Sequence, residues 1–226
     1  LIVLIAADSL AIEPAVRRAQ AHGIPVVALD VRAAGADATL TTDNVQAGEL
    51  ACRYIADRLN GIGNLVILSG PPVSAIADRL VGCRTVLDKS PGIHLLSAER
   101  NGGGSTEGAF VRMTDVLTAF PHIDAVFAIN DPTAIGVEEA SRQAKRREFF
   151  IVGVDGSPKV RQRLKDTDSL IVATVAQKPD LLAKQAVEAG YALLRGKPLL
   201  PEQRTVLIPS VLITRDTVAN TEGWNP

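Results

Sequence analysis

Short, uninterrupted apolar runs alternate with longer amphipathic stretches along most of this chain. The runs Leu1–Ile5, Val26–Leu29, Leu65–Leu68, Ile93–Leu96, Ala125–Ile129, Phe149–Val154 and Leu170–Val175 are continuous rather than alternating. That is the pattern of parallel strands covered on both faces. Between the first two runs, Ile12, Ala15, Val16 and Ala19 repeat at helical spacing, and Gly23 followed by Pro25 ends the segment. Asp131-Pro132 and Ser157-Pro158 each place a capping side chain before a proline at the first helical position. Asn44, Ser74 and Ser105 are predicted caps for three further helices. Thr39–Thr42 reads as a short extended stretch with no helix before it. After a helix over Pro179–Arg195, the extended segments Thr205–Ile208 and Val211–Ile213 are expected to return to an earlier sheet. The alternation predicts an α/β fold of right-handed βαβ units in doubly wound parallel sheets.

Composition narrows the choice of function. The 226 residues, 46% of them hydrophobic, suffice for one large or two small domains. A formal net charge of -1 without a basic stripe gives nucleic-acid binding no electrostatic support. No apolar run approaches the ~20 residues needed to cross a bilayer. Leu1–Ile5 lacks an initiator Met and a basic flank, so it reads as a buried strand, and the chain as a fragment or a processed form. Cys52 and Cys83 are too few for a disulfide framework and lack metal spacing. They read first as two small core residues, with a single disulfide as the alternative. His22, His94 and His122 are scattered, so no metal is expected. Lys145-Arg146-Arg147 ends a helix, where positive charge meets the dipole. The loop Gly102–Ser105 lacks the Lys of a phosphate loop.

Candidate chemistry follows the apolar runs. Val26–Leu29 ends in Asp30, Ala125–Ile129 in Asn130-Asp131, Phe149–Val154 in Asp155, and Leu170–Ala176 in Gln177. In an open parallel sheet the crevice beyond the carboxyl ends of the strands is the ligand site. Asp accepts two hydrogen bonds and suits vicinal hydroxyls, whereas Asn and Gln both donate and accept, as a hydroxyl does. Arg79 adds a planar donor fork. Any one of these is as often a turn former or a cap, and Asp131 before Pro132 reads as a cap. As a set they point to a polyol. A glycosidase using Asp30 and Asp155 as acid and base is the enzymatic alternative. Arg79 nearby would lower an Asp pKa rather than raise it. No catalytic residue and no cofactor are therefore expected.

The segments Ala125–Asp131 (AVFAIND), Ile151–Pro158 (IVGVDGSP) and Val172–Asp180 (VATVAQKPD) resemble those of the ribose-binding-protein group of ABC-transporter receptors. Gly23–Val27 with Asp30, then Thr42-Asp43-Asn44 with Gly48, match the same family in order and spacing. The resemblance implies a type I periplasmic-binding-protein fold, with two doubly wound parallel-sheet lobes joined by three crossovers and a sugar held between them. It places the amino-terminal lobe, incomplete, at Leu1–Thr42 plus Lys178–Val206 (1–42 and 178–206), and the carboxy-terminal lobe at 43–177 plus 207–226. The crossovers fall near Thr42-Asp43, Gln177-Lys178 and Thr205–Ile208.

Matching positions hold Asp30, Arg79, Asn130, Asp155 and Gln177, and Thr42 stands where a small hydroxyl residue is usual. Three positions depart: Ile5 replaces a polar Asn, Val31 an Arg, and Gly104 an aromatic that stacks on the sugar. Each departure removes a ribose contact and implies another pentose, a hexose or a polyol. The family's opening strand–helix units have no counterpart in this chain, which implies an exposed sheet edge. The implied partners are a small-molecule sugar and an ABC-transporter membrane permease. The implied location is the periplasm, or the outside of a Gram-positive cell as a tethered protein, and the implied state is a monomer. The effector-binding core of a lactose- or ribose-type transcription repressor shares the fold, but IVGVDGSP and VATVAQKPD look closer to the transport receptors.

Overall fold

Each apolar run forms a strand, and so do both tail segments. The computed structural model describes residues 1–221 and 224, with the backbone alone for residues 98 and 99. Of the tail 207–226, residues 222, 223, 225 and 226 lie outside the described residues. The chain begins with β1 (Ile2–Leu4), α1 (Glu13–Ala21), β2 (Val26–Leu29) and β3 (Ala38–Thr42). It continues through α2 (Asn44–Arg58), β4 (Gly63–Ser69), α3 (Ser74–Leu87), β5 (Ile93–Asn101) and α4 (Thr106–Ala119). Next come β6 (Ala125–Ala128), α5 (Asp131–Ala144), β7 (Phe150–Asp155), α6 (Pro158–Lys165) and β8 (Ile171–Ala176). α7 (Pro179–Leu194), a short α8 (Pro201–Arg204), β9 (Thr205–Ile208) and β10 (Val211–Thr214) follow.

Among the described residues these strands form two sheets. One is parallel, in the order β1-β2-β3-β9, with Val27 opposite Ala38 and Thr41 opposite Leu207. The other has the order β10-β8-β7-β6-β4-β5 and is parallel except for β10, whose Val211 faces Ala176 in antiparallel register. In the second sheet β4 comes first in the chain yet lies between β5 and β6. That reversal is a topological switch point, where a crevice opens beyond the strand ends. All of β8 is buried, as are Ile151, Val152 and Val154 of β7, because helices cover both faces and no position turns to water. β1 lies at a sheet edge with Ile2 and Val3 exposed. The chain passes between the sheets after Thr42, after Ala176 and after Ile208.

Helix starts differ from expectation in three places. Asn130, not Asp131, caps α5: its backbone is extended (φ -152°, ψ 172°) and its side chain accepts from Thr133 N. Asp131 is already helical and turns its carboxylate inward. Asp43, not Asn44, caps α2 by accepting from Gln46 N at 3.0 Å. Ser74 opens α3 without capping it, because its hydroxyl accepts from Arg32 N at 2.8 Å instead. Ser105 and Ser157 do cap α4 and α6, through Gly108 N and Val160 N.

α2 and α3 approach closely because two glycines face each other's backbones. A Cβ on Gly48 would lie 1.9 Å from Arg79 O, and one on Gly82 would lie 1.9 Å from Val45 O. That approach brings the Cα atoms of Cys52 and Cys83 to 5.1 Å, and the two form a disulfide. The bond corrects the first reading, two free core cysteines, and bears out the alternative of a single disulfide. Both are fully buried as expected, but only the helix crossing decides that they meet.

Candidate functional site

The site is assembled from strand ends and one helix: Thr42, Asp155 and Gln177 are placed by strands β3, β7 and β8, and Arg79 by α3. Thr42 ends β3 in the first sheet, and its hydroxyl donates to Gln177 Oε1, just past β8, at 2.6 Å. Gln177 Nε2 donates in turn to Asp155 Oδ1, at the end of β7, at 2.7 Å. Arg79, on α3, brings Nη2 to 3.7 Å from the same Oδ1. Thr42, Gln177, Asp155 and Arg79 thus form one polar chain running from the first sheet into the second.

Arg79 is only 3% exposed. Its Nε donates to Asn44 Oδ1 at 2.9 Å and its Nη1 to Ile129 O at 2.7 Å. Two edges of the fork are therefore spent on orientation, and Nη2 is directed at Asp155. Asn44, expected as a cap, is the residue that aims it.

Asp30 follows β2 with φ 64°, a left-handed conformation that Asp tolerates better than most residues. Its N–H donates to Leu40 O, and its carbonyl accepts from Thr41 Oγ1. These bonds fix the backbone and leave the carboxylate without a hydrogen bond among the described residues. Its charge reaches Asp155 from the opposite sheet. Asn130 lies beside the site, but its amide is committed: Nδ2 donates to Gly104 O at 2.9 Å while Oδ1 caps α5.

Asp131, left out of the candidate set, holds the floor. Its carboxylate accepts from Ser157 N and from Thr174 Oγ1, both at 2.7 Å, and its own N–H donates to Asp155 Oδ2 at 3.2 Å. Burial, reinforced by the Asp155 charge, pushes the Asp131 carboxyl up to about 7. Burial also pushes Asp155 up, opposed by the Arg79 charge and by hydrogen bonds. Two buried carboxyls this close do not both ionise freely, and Asp131 has no cation beside it to offset its burial.

Trp224 is the residue that sequence reasoning missed. Its indole Nε1 donates to Asp155 O at 2.8 Å. Arg161 holds the tail on this path through Val218 O (3.1 Å) and Thr221 O (2.7 Å). It is the only tryptophan in the chain, which is the one signal that could have marked it, since it follows no strand. Of the three departing positions, Ile5 is 61% exposed and Val31 is buried in the core. Gly104 has φ 66°, and a Cβ there would lie 3.3 Å from Asn130 Nδ2 and from Pro71 Cδ, so the loop resists a side chain.

Paired parallel sheets with a polar crevice at their strand ends define a ligand-binding α/β protein. The chain belongs to the periplasmic binding protein domain family, which it matches over residues 1–198. It is 35% identical to the ribose import binding protein of Bacillus subtilis (strain 168) over 211 residues, covering 92% of this chain and 66% of that protein. It is 34% identical over 219 residues to the D-apiose import binding protein of Paraburkholderia graminis, covering 95% of this chain and 69% of that protein. The structure of an ABC transporter solute binding protein from Agrobacterium vitis with bound allitol is similar at a TM-score of 0.86 and 30% identity, covering 96% of this chain and 76% of that one. The chain spans 64% to 66% of the length of the ribose import binding proteins it matches. The fold is thus the α/β architecture of periplasmic solute-binding proteins.

Among the described residues no three His, Cys, Asp or Glu side chains are grouped to hold a metal ion, and no helix is long and apolar enough to cross a membrane.

Proposed function

We propose that the protein is the sugar receptor of an ABC importer, closing two lobes around a monosaccharide or polyol and delivering it to a membrane permease. The observation that carries this reading is the polar chain Thr42–Gln177–Asp155–Arg79, with Asp30 facing it from the other sheet. It offers carboxylate acceptors, an amide and an oriented guanidinium edge, the complement of a row of hydroxyls. Bonds to charged groups contribute ~1.5–3 kcal/mol each. Four or five of them, less ordering costs, reach micromolar affinity, about −8 kcal/mol. The lobes are residues 1–42 with 178–206 and residues 43–177 with 207–226; strand β9 continues two residues past that boundary in the first sheet.

The matched proteins are import or solute-binding proteins whose names carry ribose, apiose and allitol, which supports a polyhydroxylated ligand and a permease partner. Ile5, Val31 and Gly104 supply no ribose-type contact, which favours another pentose, a hexose or a polyol. A non-catalytic role fits Asp155, both of whose oxygens are engaged by neighbours. The Cys52–Cys83 disulfide fits an oxidising compartment, hence the periplasm or the outside of a Gram-positive cell, and tells against a cytoplasmic repressor.

The test is a fluorescence titration read from Trp224, paired with a thermal-shift screen of pentoses, hexoses and polyols. A true ligand at about 100 times its Kd stabilises the fold by about 2.7 kcal/mol and changes the emission. A panel in which no member does either would overturn the reading.

A further inference from the structure

Asp30 and Arg79 belong to the crevice, and their chain neighbours meet outside it. Arg32 follows β2 on the first sheet, and Asp78 lies on α3 of the second, one residue before Arg79. Arg32 Nη1 lies 2.6 Å from Asp78 Oδ2 and Nη2 lies 2.9 Å from Oδ1, a two-pronged fork. The Arg32 N–H donates to Ser74 Oγ at 2.8 Å, and the Ser74 N–H donates to Ser9 Oγ at 3.1 Å. Ala6, Val31 and Ala33 of the first sheet's loops share one buried cluster with Val73, which precedes α3, and with Ala75 and Ile76 of α3. This seam joins two bodies that the chain links elsewhere, after Thr42, Ala176 and Ile208.

We propose that Arg32 and Asp78, seated by Ser9 and Ser74, form a latch that favours the closed cleft without ligand and so sets sugar affinity without touching sugar. The role in affinity rests on the receptor reading above. The latch itself does not. A ligand that needs the closed form binds with its intrinsic Kd divided by the fraction already closed. The geometry ties latch to site directly: Asp30 and Arg32 leave the same strand end, and Asp78 and Arg79 are consecutive on one helix. A motion that carries the loop after β2 away from α3 parts Arg32 from Asp78. The side chains are 47% and 23% exposed, so salt reaches the pair and weakens it.

The experiment is small-angle scattering of the full chain without sugar, on the parent, Arg32→Gln, Asp78→Asn and the charge-swapped pair Arg32→Asp with Asp78→Arg. The expected result is a compact parent that expands at high salt, expanded single variants and a swapped pair that regains compactness. Circular dichroism confirms that each variant is folded. Single variants whose profiles match the parent overturn the latch. Expansion that the swap does not restore overturns the ion pair as its cause.

For any sugar that binds, Asp78→Asn is expected to weaken affinity by about two- to fivefold, and unchanged affinity removes the role in binding. A failed sugar panel with scattering that behaves as expected leaves the latch standing and removes only the receptor reading.

Discussion

Replacing Arg79 tests both the site's electrostatics and its preorganisation. In Arg79→Lys the charge survives but the fork does not. An ammonium is a point donor and cannot reach Asn44 Oδ1 and Ile129 O together in the directions that Nε and Nη1 now use. One acceptor is stranded where both Asn44 and Ile129 are buried, which costs about 1–3 kcal/mol of stability. Arg79→Met strands both acceptors and also leaves Asp155, 14% exposed, without its counter-charge. Breaking a buried pair in this way costs about 3–5 kcal/mol.

The second loss depends on pH, with a definite sign. The Asp155 carboxyl already lies above its usual range, and the Arg79 charge is a major influence pulling it down. Removing that charge raises it further. An acid raised in the fold contributes stability at low pH that is lost as pH rises, so the Met deficit should grow toward neutral pH and above. Urea midpoints followed by circular dichroism, at acidic and at mildly alkaline pH, measure this. Adding Asp155→Asn should recover part of the Arg79→Met loss. A Met deficit that is equal at both pH values, with no recovery from Asp155→Asn, would refute Arg79 as the counter-ion of Asp155.

Removing the disulfide with Cys52→Ala and Cys83→Ala frees a loop whose ends are 31 residues apart, which lowers stability by about 3.7 kcal/mol on loop-closure entropy. Equal denaturation midpoints for parent and variant would show that the crosslink restrains nothing. Asp131 moves from 3.8 in the unfolded chain to about 7 in the fold, so the folded state alone holds that proton across this window. Its contribution to stability therefore falls as pH rises from about 4 through 7. Asp131→Asn can still accept from Ser157 N and can donate to Thr174 Oγ1, so its denaturation midpoints should lose that downward slope. A slope identical to the parent's would assign the dependence to another group.

Much of the fold was legible because strand and helix leave local marks. The run Leu170–Val175 announced a doubly covered strand, and β8 is buried at every position. Polar residues at strand ends were legible for the same reason: a continuous apolar run must stop where the chain meets water, and in parallel sheets those stops share an edge. Thr42, Asp155, Gln177 and Arg79 do come together. Helix starts were less legible, since one residue separates a cap from a buried carboxylate. Asn130 and Asp131 carry equally good capping groups, and only the extended backbone at Asn130 separates them.

The amino-acid sequence by itself determined the α/β class, the places where strands end, and hence which side chains border the crevice. It did so because hydrophobic periodicity and turn chemistry act over a few residues. Tertiary structure alone decided what crosses between elements. The close approach of Gly48 and Gly82 turned two buried cysteines into a disulfide. The path of the tail set Trp224 on Asp155. The meeting of the two sheets paired Arg32 with Asp78. Such contacts depend on how whole elements pack, a free energy summed over many distant residues, and no local pattern records it.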